Sequence, residues 1–294
     1  MKMPDFIDRL QSVPFLIADG ATGSNLQARG MVMGTPAEMW VLEQPDQIIR
    51  LHQDFIDAGA EILLTCTFGA TSLRLEQVGL SERTDEINKR AVELAKKACR
   101  RNQIYIAGSI GPTGYLFKPF GQLDEEKAFH VFAQQAKALI EAGVDLIVIE
   151  TQFDLAEASA AIKSVRSISA LPLVCSFSFD RGTRTMMGLK PAQVGQEIPP
   201  LGVDMIGLNC GRSLEDNLKA LHELRAATTL PIWFKPNAGL PRLDDAGRPI
   251  YNITPEQMAL PVQEWLSGGA KVVGGCCGTS PDHLRQIARV ARRL

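Results

Sequence analysis

Short apolar runs and longer amphipathic stretches alternate along the whole chain. Runs rich in Val, Ile, Leu and Phe fall at residues 15–19, 62–68, 104–110, 146–151, 173–179, 205–210, 232–236 and 272–276. Between them, apolar positions recur at helical spacing over residues 47–57, 82–101, 125–142, 155–169, 214–226, 255–266 and 281–293, with a shorter candidate at 192–198 that Pro199-Pro200 ends. This is the pattern of repeated βα units. Several helix starts are written out: Thr254 before Pro255, with Gln257 three residues after the cap, reads as N-cap, first-turn proline and capping box together. Ser280 before Pro281 repeats the cap and proline. Glycine-containing turns at Gly59, Gly143 and Gly268-Gly269 suit left-handed helix ends ahead of the next strand.

Eight such units predict an α/β fold, a single (β/α)8 TIM barrel spanning residues 1–294, in preference to a doubly wound open sheet. Composition agrees with one globular unit: 45% of residues are hydrophobic and 22% charged. A formal net charge of -2 without a Lys/Arg block argues against nucleic acid or an anionic membrane as partner and favours a small molecule. The first ten residues lack the basic start and apolar run of a secretory signal, and no apolar stretch is long enough to span a bilayer. A cytoplasmic location is therefore expected. In that setting the six cysteines read as thiols or metal ligands rather than disulfides.

In a barrel of this kind the chemistry sits at the C-terminal ends of the strands. Those ends carry Asp19-Gly20-Ala21-Thr22-Gly23, Cys66-Thr67-Phe68-Gly69, Ser109-Ile110-Gly111, Glu150-Thr151, Asn209-Cys210-Gly211, Pro236-Asn237-Ala238-Gly239 and Gly274-Gly275-Cys276-Cys277-Gly278. Adjacent Cys276 and Cys277 do not readily form an unstrained disulfide with each other, and in a closed barrel Cys210 would top a strand on the same face. Three thiolates are the ligand count of a catalytic zinc site that keeps its fourth position open. Two other readings stay open on spacing alone: three small buried core cysteines, or a phosphate-binding loop beginning at Gly274-Gly275. Glu150 ends an apolar strand and needs a partner such as a bound ammonium, a metal or an Arg. Asp19 sits similarly, among glycines that let backbone N–H groups approach a ligand. Asn209 could contact substrate, orient a metal ligand or simply brace a turn. His52, His130, His222 and His283 all fall in predicted helices. Of the remaining cysteines, Cys66 alone is placed to reach the pocket.

Taken together, these strand ends resemble the homocysteine S-methyltransferase family, which includes the homocysteine-binding module of cobalamin-dependent methionine synthase and betaine-homocysteine methyltransferase. The resemblance runs over nearly the whole chain, and Pro236-Asn237-Ala238-Gly239-Leu240-Pro241 is similar to the methionine synthase branch. It implies Zn2+ on Cys210, Cys276 and Cys277, with homocysteine sulfur at the open position and methionine as product. It further implies that Glu150 and Asp19 hold the amino end of homocysteine. Backbone around Gly20, Ala21 and Ser109 is implied for its carboxylate, with Thr67 and Asn209 as further substrate contacts. Cys66 stands where the family often has Asn. Methionine synthase continues into methylfolate-binding and cobalamin-binding modules beyond its homocysteine-binding barrel, and none is expected within these 294 residues, so the methyl donor stays open. The choices are a separate methyl-corrinoid protein, or a small sulfonium or ammonium donor held by Trp40, Tyr115, Phe117 or Phe120. Two alternatives remain: a homocysteine-binding module without turnover of its own, and an unrelated barrel lyase or aldolase using Glu150 and a phosphate loop.

Overall fold

The computed structural model describes residues 3–99, 103–244 and 249–294. All eight predicted strands form: Leu16–Ile17, Ile62–Leu64, Tyr105–Ile110, Leu146–Gln152, Leu173–Phe177, Met205–Cys210, Ile232–Pro236 and Ala270–Val273. Every pairing among them is parallel. From the second strand to the eighth, spatial order follows chain order; the eighth pairs with the first, and a bridge between Ala18 and Ile62 joins first to second. The fold is a (β/α)8 barrel. A doubly wound sheet would reverse its strand order instead of running round.

Helices form where capping and periodicity predict them, with instructive differences. The capping boxes at Thr254 and Ser280 are both present, each followed by its proline. The single helix expected over residues 255–266 is two, Pro255–Ala259 and Val262–Ser267, because Pro261 has no N–H to continue the first. The helix expected over 82–101 runs Thr84–Ala98 behind a short 3-10 turn, and the end of that expectation, residues 100–101, lies outside the described residues. Gly59, Gly143 and Gly269 take φ of 110°, 81° and 100° in the turns below the strands, as their positions predict. Helices at Phe6–Ser12, Gly23–Ala28 and Ala37–Glu43, and a hairpin of Pro241–Leu243 with Pro249–Tyr251, lie outside the expected repeat. These pieces are too short to carry a helical or alternating signature.

Strand alternation divides the core in two. Residues facing the helices join one large apolar cluster, while Leu16, Ala18, Ile62, Leu64, Tyr105, Ala107, Leu146, Val148, Val174, Met205, Trp233 and Val272 pack inside the barrel. Two positions further along the same face, the strands carry Ser109, Glu150, Ser176 and Lys235, all buried. The interior thus changes from apolar to polar over about 7 Å, two residues of strand rise. Above the polar layer lie the connections that follow the strands.

Candidate metal and substrate site

Cys210 ends the sixth strand, and Cys276-Cys277 follow the eighth. The Sγ atoms of Cys210 and Cys276 lie 3.0 Å apart, and the three thiol sulfurs are within 4.8 Å of one another. They form the one group of three metal-ligating side chains found among the described residues. A tetrahedral zinc with Zn–S near 2.3 Å needs sulfurs about 3.8 Å apart, so the donor set fits such an ion with sub-ångström adjustment. Hydrogen bonds with Cys276 and Cys277 push the Cys210 thiol well up, while the corresponding bonds with Cys210 and Cys276 pull Cys277 well down. Three thiols this close need a cation to ionise together.

The backbone around the cysteines is fixed from several sides. Cys210 adopts φ 60°, a left-handed conformation uncommon outside glycine. Its carbonyl accepts from Asn217 Nδ2 at 2.9 Å and from the Asn237 N–H at 3.2 Å, which holds that turn in place. Gly275 donates its N–H to the Asp19 carbonyl at 3.1 Å, Gly274 to Phe234 at 3.1 Å and Cys276 to Pro236 at 2.8 Å. These donors are spent on neighbouring strands, so Gly274-Gly275 offers no nest for a phosphate. The two glycines are needed for close approach instead: a Cβ on Gly274 would meet the Asp19 carbonyl, and one on Gly275 would collide with Thr279. The phosphate-loop reading is thereby removed.

Asn209 sits under the cysteines with all its polar atoms occupied. Its Oδ1 accepts from the Thr151 N–H at 2.9 Å and Ser176 Oγ at 2.7 Å; its Nδ2 donates to Thr151 Oγ1 at 2.7 Å and faces Cys276 Sγ at 3.7 Å. Of the three roles open in the sequence, this geometry favours orienting the thiol ligand. It also holds Thr151, a β-branched residue at φ 60°, in a conformation it would otherwise avoid.

Glu150 is buried in the polar layer, where Ser109 Oγ donates to its Oε1 at 2.5 Å. Burial pushes its carboxyl up to about 7, against the attraction of Lys235. Thr67 is fully buried beneath this pair and donates Oγ1 to the Ser109 carbonyl at 2.7 Å, so it supports Ser109. Ala21 donates its N–H to the Thr279 carbonyl at 3.1 Å. Gly20 is packed against Phe55 and Thr279, where a Cβ would clash.

Two expectations are corrected. Cys66 does not reach the pocket; its thiol turns outward to the Ala37 carbonyl at 3.5 Å and packs in the cluster between barrel and helices. Asp19 does not stand open to a ligand. Its Oδ2 accepts from the Leu64 N–H at 2.8 Å, and its Oδ1 is paired with Lys235 Nζ at 2.6 Å in an ion pair with side chains 2% and 3% exposed. Burial opposes the charge on Lys235, but Asp19 and Glu150 outweigh it and hold the ammonium above its ordinary pKa. Lys235 was legible in principle: a charge in the run Ile232-Trp233-Phe234-Lys235 poses the same question as Glu150 in its strand. Tyr251, whose hydroxyl hydrogen-bonds Cys277, had no such signal because the hairpin delivers it.

With this geometry established, comparison with known proteins is informative. The family model described as Homocysteine S-methyltransferase matches residues 16–291. The methionine synthases of Mycobacterium leprae and Mycobacterium tuberculosis are 27% and 28% identical over 95% and 99% of this chain. The chain spans only 24% and 26% of those relatives' length. Among solved structures, the metallated form of the homocysteine methyltransferase MmuM from Escherichia coli superposes with a TM-score of 0.82 at 26% identity, covering 97% of this chain and 98% of that one. Its apo form gives a TM-score of 0.75.

Proposed function

The chain belongs to the homocysteine S-methyltransferase family, and from that premise we propose that it is a zinc-dependent enzyme that methylates homocysteine to methionine. The observation that carries the reading is the convergence of Cys210, Cys276 and Cys277, whose sulfurs lie within 4.8 Å of one another beside a buried Glu150. Those three residues would hold Zn2+ and leave a fourth position for substrate sulfur. When bound, zinc would supply the Lewis acidity that ionises a thiol of ordinary pKa about 8.5 at neutral pH.

The protein's own residues bind and orient. Glu150, braced by Ser109, offers a carboxylate for the substrate ammonium; an ammonium there would reverse the penalty of burial and favour the ionised form. Asn209 and the left-handed Cys210 turn hold two ligand sulfurs in place. The apolar interior below, capped by Trp233, keeps water from entering through the barrel.

For the methyl donor, a methyl-corrinoid protein is favoured over a small sulfonium or ammonium compound by one observation. Connections following the first, third, fifth and seventh strands expose Val32, Leu116, Phe120, Met186, Leu240 and Leu243, with Phe120 at 75% and Val32 at 73%. Exposed apolar side chains on four of the connections that follow the strands suit a macromolecular carrier.

The test is zinc content and methyl transfer in the reduced protein and in Cys210→Ala, Cys276→Ala and Cys277→Ala. About one zinc per wild-type chain is expected, lost in each variant together with methionine formation from homocysteine and a methyl-corrinoid. Reduced wild-type protein that binds no zinc when offered it would sink the proposal. Turnover with S-methylmethionine but not with the corrinoid would move the donor to the small-molecule class.

A further inference from the structure

The polar layer holds two carboxylates that sequence treats alike and the structure does not. Asp19 has an internal donor on each oxygen: one takes the Leu64 N–H and the other the Lys235 ammonium, and the residue is 2% exposed. Glu150 receives Ser109 Oγ on Oε1 and keeps 7% exposure. Lys235 lies over the Trp233 ring, 5.8 Å from its centroid, at the boundary between apolar and polar interior. A buried ammonium in such a place must be matched by a nearby anion, since an unpaired one is strongly destabilising.

With Glu150 ionised, Asp19 and Glu150 face Lys235, two negative charges against one positive, and Lys235 is in contact with Asp19. We infer that Lys235 is a specificity-determining residue: it takes Asp19 out of ligand recognition and leaves Glu150 alone to read a single ammonium group on the thiol substrate. The inference rests on the proposed function for the identity of the thiol and goes beyond it in dividing the work between the two carboxylates. A substrate carrying one ammonium completes the charge match. A thiol lacking it leaves Glu150 to be satisfied by its own protonation or by Lys235.

The pair's placement supports this division. Asp19 and Lys235 are 216 positions apart in sequence, and their contact reaches past the eighth strand, from the first strand's end to the seventh. The Asp19 Oδ2 bond to Leu64 also reinforces the first-to-second-strand junction, which has one bridge between Ala18 and Ile62. An aspartate employed in closing the barrel is poorly placed to turn toward a ligand.

Calorimetric affinities of the zinc-supplied protein for three thiols test the inference: homocysteine, 4-mercaptobutyrate, which lacks the ammonium, and 3-mercaptopropylamine, which lacks the carboxylate. Glu150→Gln is expected to cut the preference for homocysteine over 4-mercaptobutyrate by about tenfold or more, the loss of one charge-assisted hydrogen bond. Replacing both members of the pair, Asp19→Asn with Lys235→Met, removes no net charge and should leave that preference within about threefold of wild type, as a self-contained pair requires. Lys235→Met alone frees Asp19 and should widen the preference; if that variant does not fold, the paired variant carries the test. A tenfold fall in preference in the paired variant would return Asp19 to the ammonium site and overturn the inference. So would selective loss of the two carboxylate-bearing thiols in either Lys235 variant, which would make Lys235 the carboxylate's partner. Failure of wild-type protein to bind any of the three thiols would instead strike the proposed function.

Discussion

The lower and upper halves of the barrel interior are built by the same strands on the same faces, yet they do opposite things. Below, Leu64, Val148, Val174, Trp233 and Val272 are packed apolar residues. Above, Ser109 is paired with Glu150, Ser176 with Asn209 and Asp19 with Lys235. The lower half gains stability from burial, about 25 cal/mol per Å² of apolar surface removed from water. Polar groups in the upper half are desolvated at a cost that internal partners offset only in part. Glu150 carries that cost visibly, with its carboxyl raised to about 7 by burial. A site of this kind is stabilised from beneath and left incomplete toward its ligand.

The sharpest way to break the comparison is to damage the lower half alone. Trp233→Ala should destabilise the protein by about 3–5 kcal/mol in denaturant unfolding, the range for a large aromatic removed from a core. Zinc bound per folded molecule should stay at the wild-type level. Loss of zinc at full folding would show that the two halves are not separable.

Next in size is a pH effect confined to the upper half. The Glu150 pKa in the folded protein, about 7, lies above the ordinary 4.5. Below pH 4.5 the group is protonated folded and unfolded and contributes nothing. As pH rises from 4.5 to 7 the unfolded chain ionises first, so the metal-free protein loses stability on the order of 3 kcal/mol, and the loss is constant above that window. Unfolding free energies of wild type and Glu150→Gln, followed from pH 4 to 8, should diverge in that direction. Parallel curves would show that Glu150 is not held in an apolar setting.

The smallest effect sharpens the upper half itself. Asn209→Ala removes the amide that faces Cys276 and braces Thr151, and zinc affinity measured by chelator competition should fall by about 10–100-fold. Unchanged affinity would assign Asn209 to turn bracing alone.

How far each of these features could be read in the sequence depends on the range of the interaction behind it. Glu150 stood out because a carboxylate in Leu146-Ile147-Val148-Ile149-Glu150 is conspicuous within one strand. Cys66 misled because position along a strand gives the height of a residue and a short, irregular strand end does not fix which way it faces; this one turned to Ala37. Gly274-Gly275 could be read as a phosphate loop until the partners of their N–H groups were known. Asp19 looked open because its partners, Leu64 and Lys235, come from other strands.

Local pattern sufficed for the eight βα units, most helix starts and the set of residues at the strand ends, since periodicity, caps and turns act over a few residues. Closure of the barrel decided the rest. It brought Cys210 to Cys276 across 66 positions and Lys235 to Asp19 across 216, and so gave one of the two inward carboxylates an internal ammonium. Alternation along a strand fixes which residues face inward, but which inward residues meet depends on strands laid side by side from distant parts of the chain, and no local pattern records that.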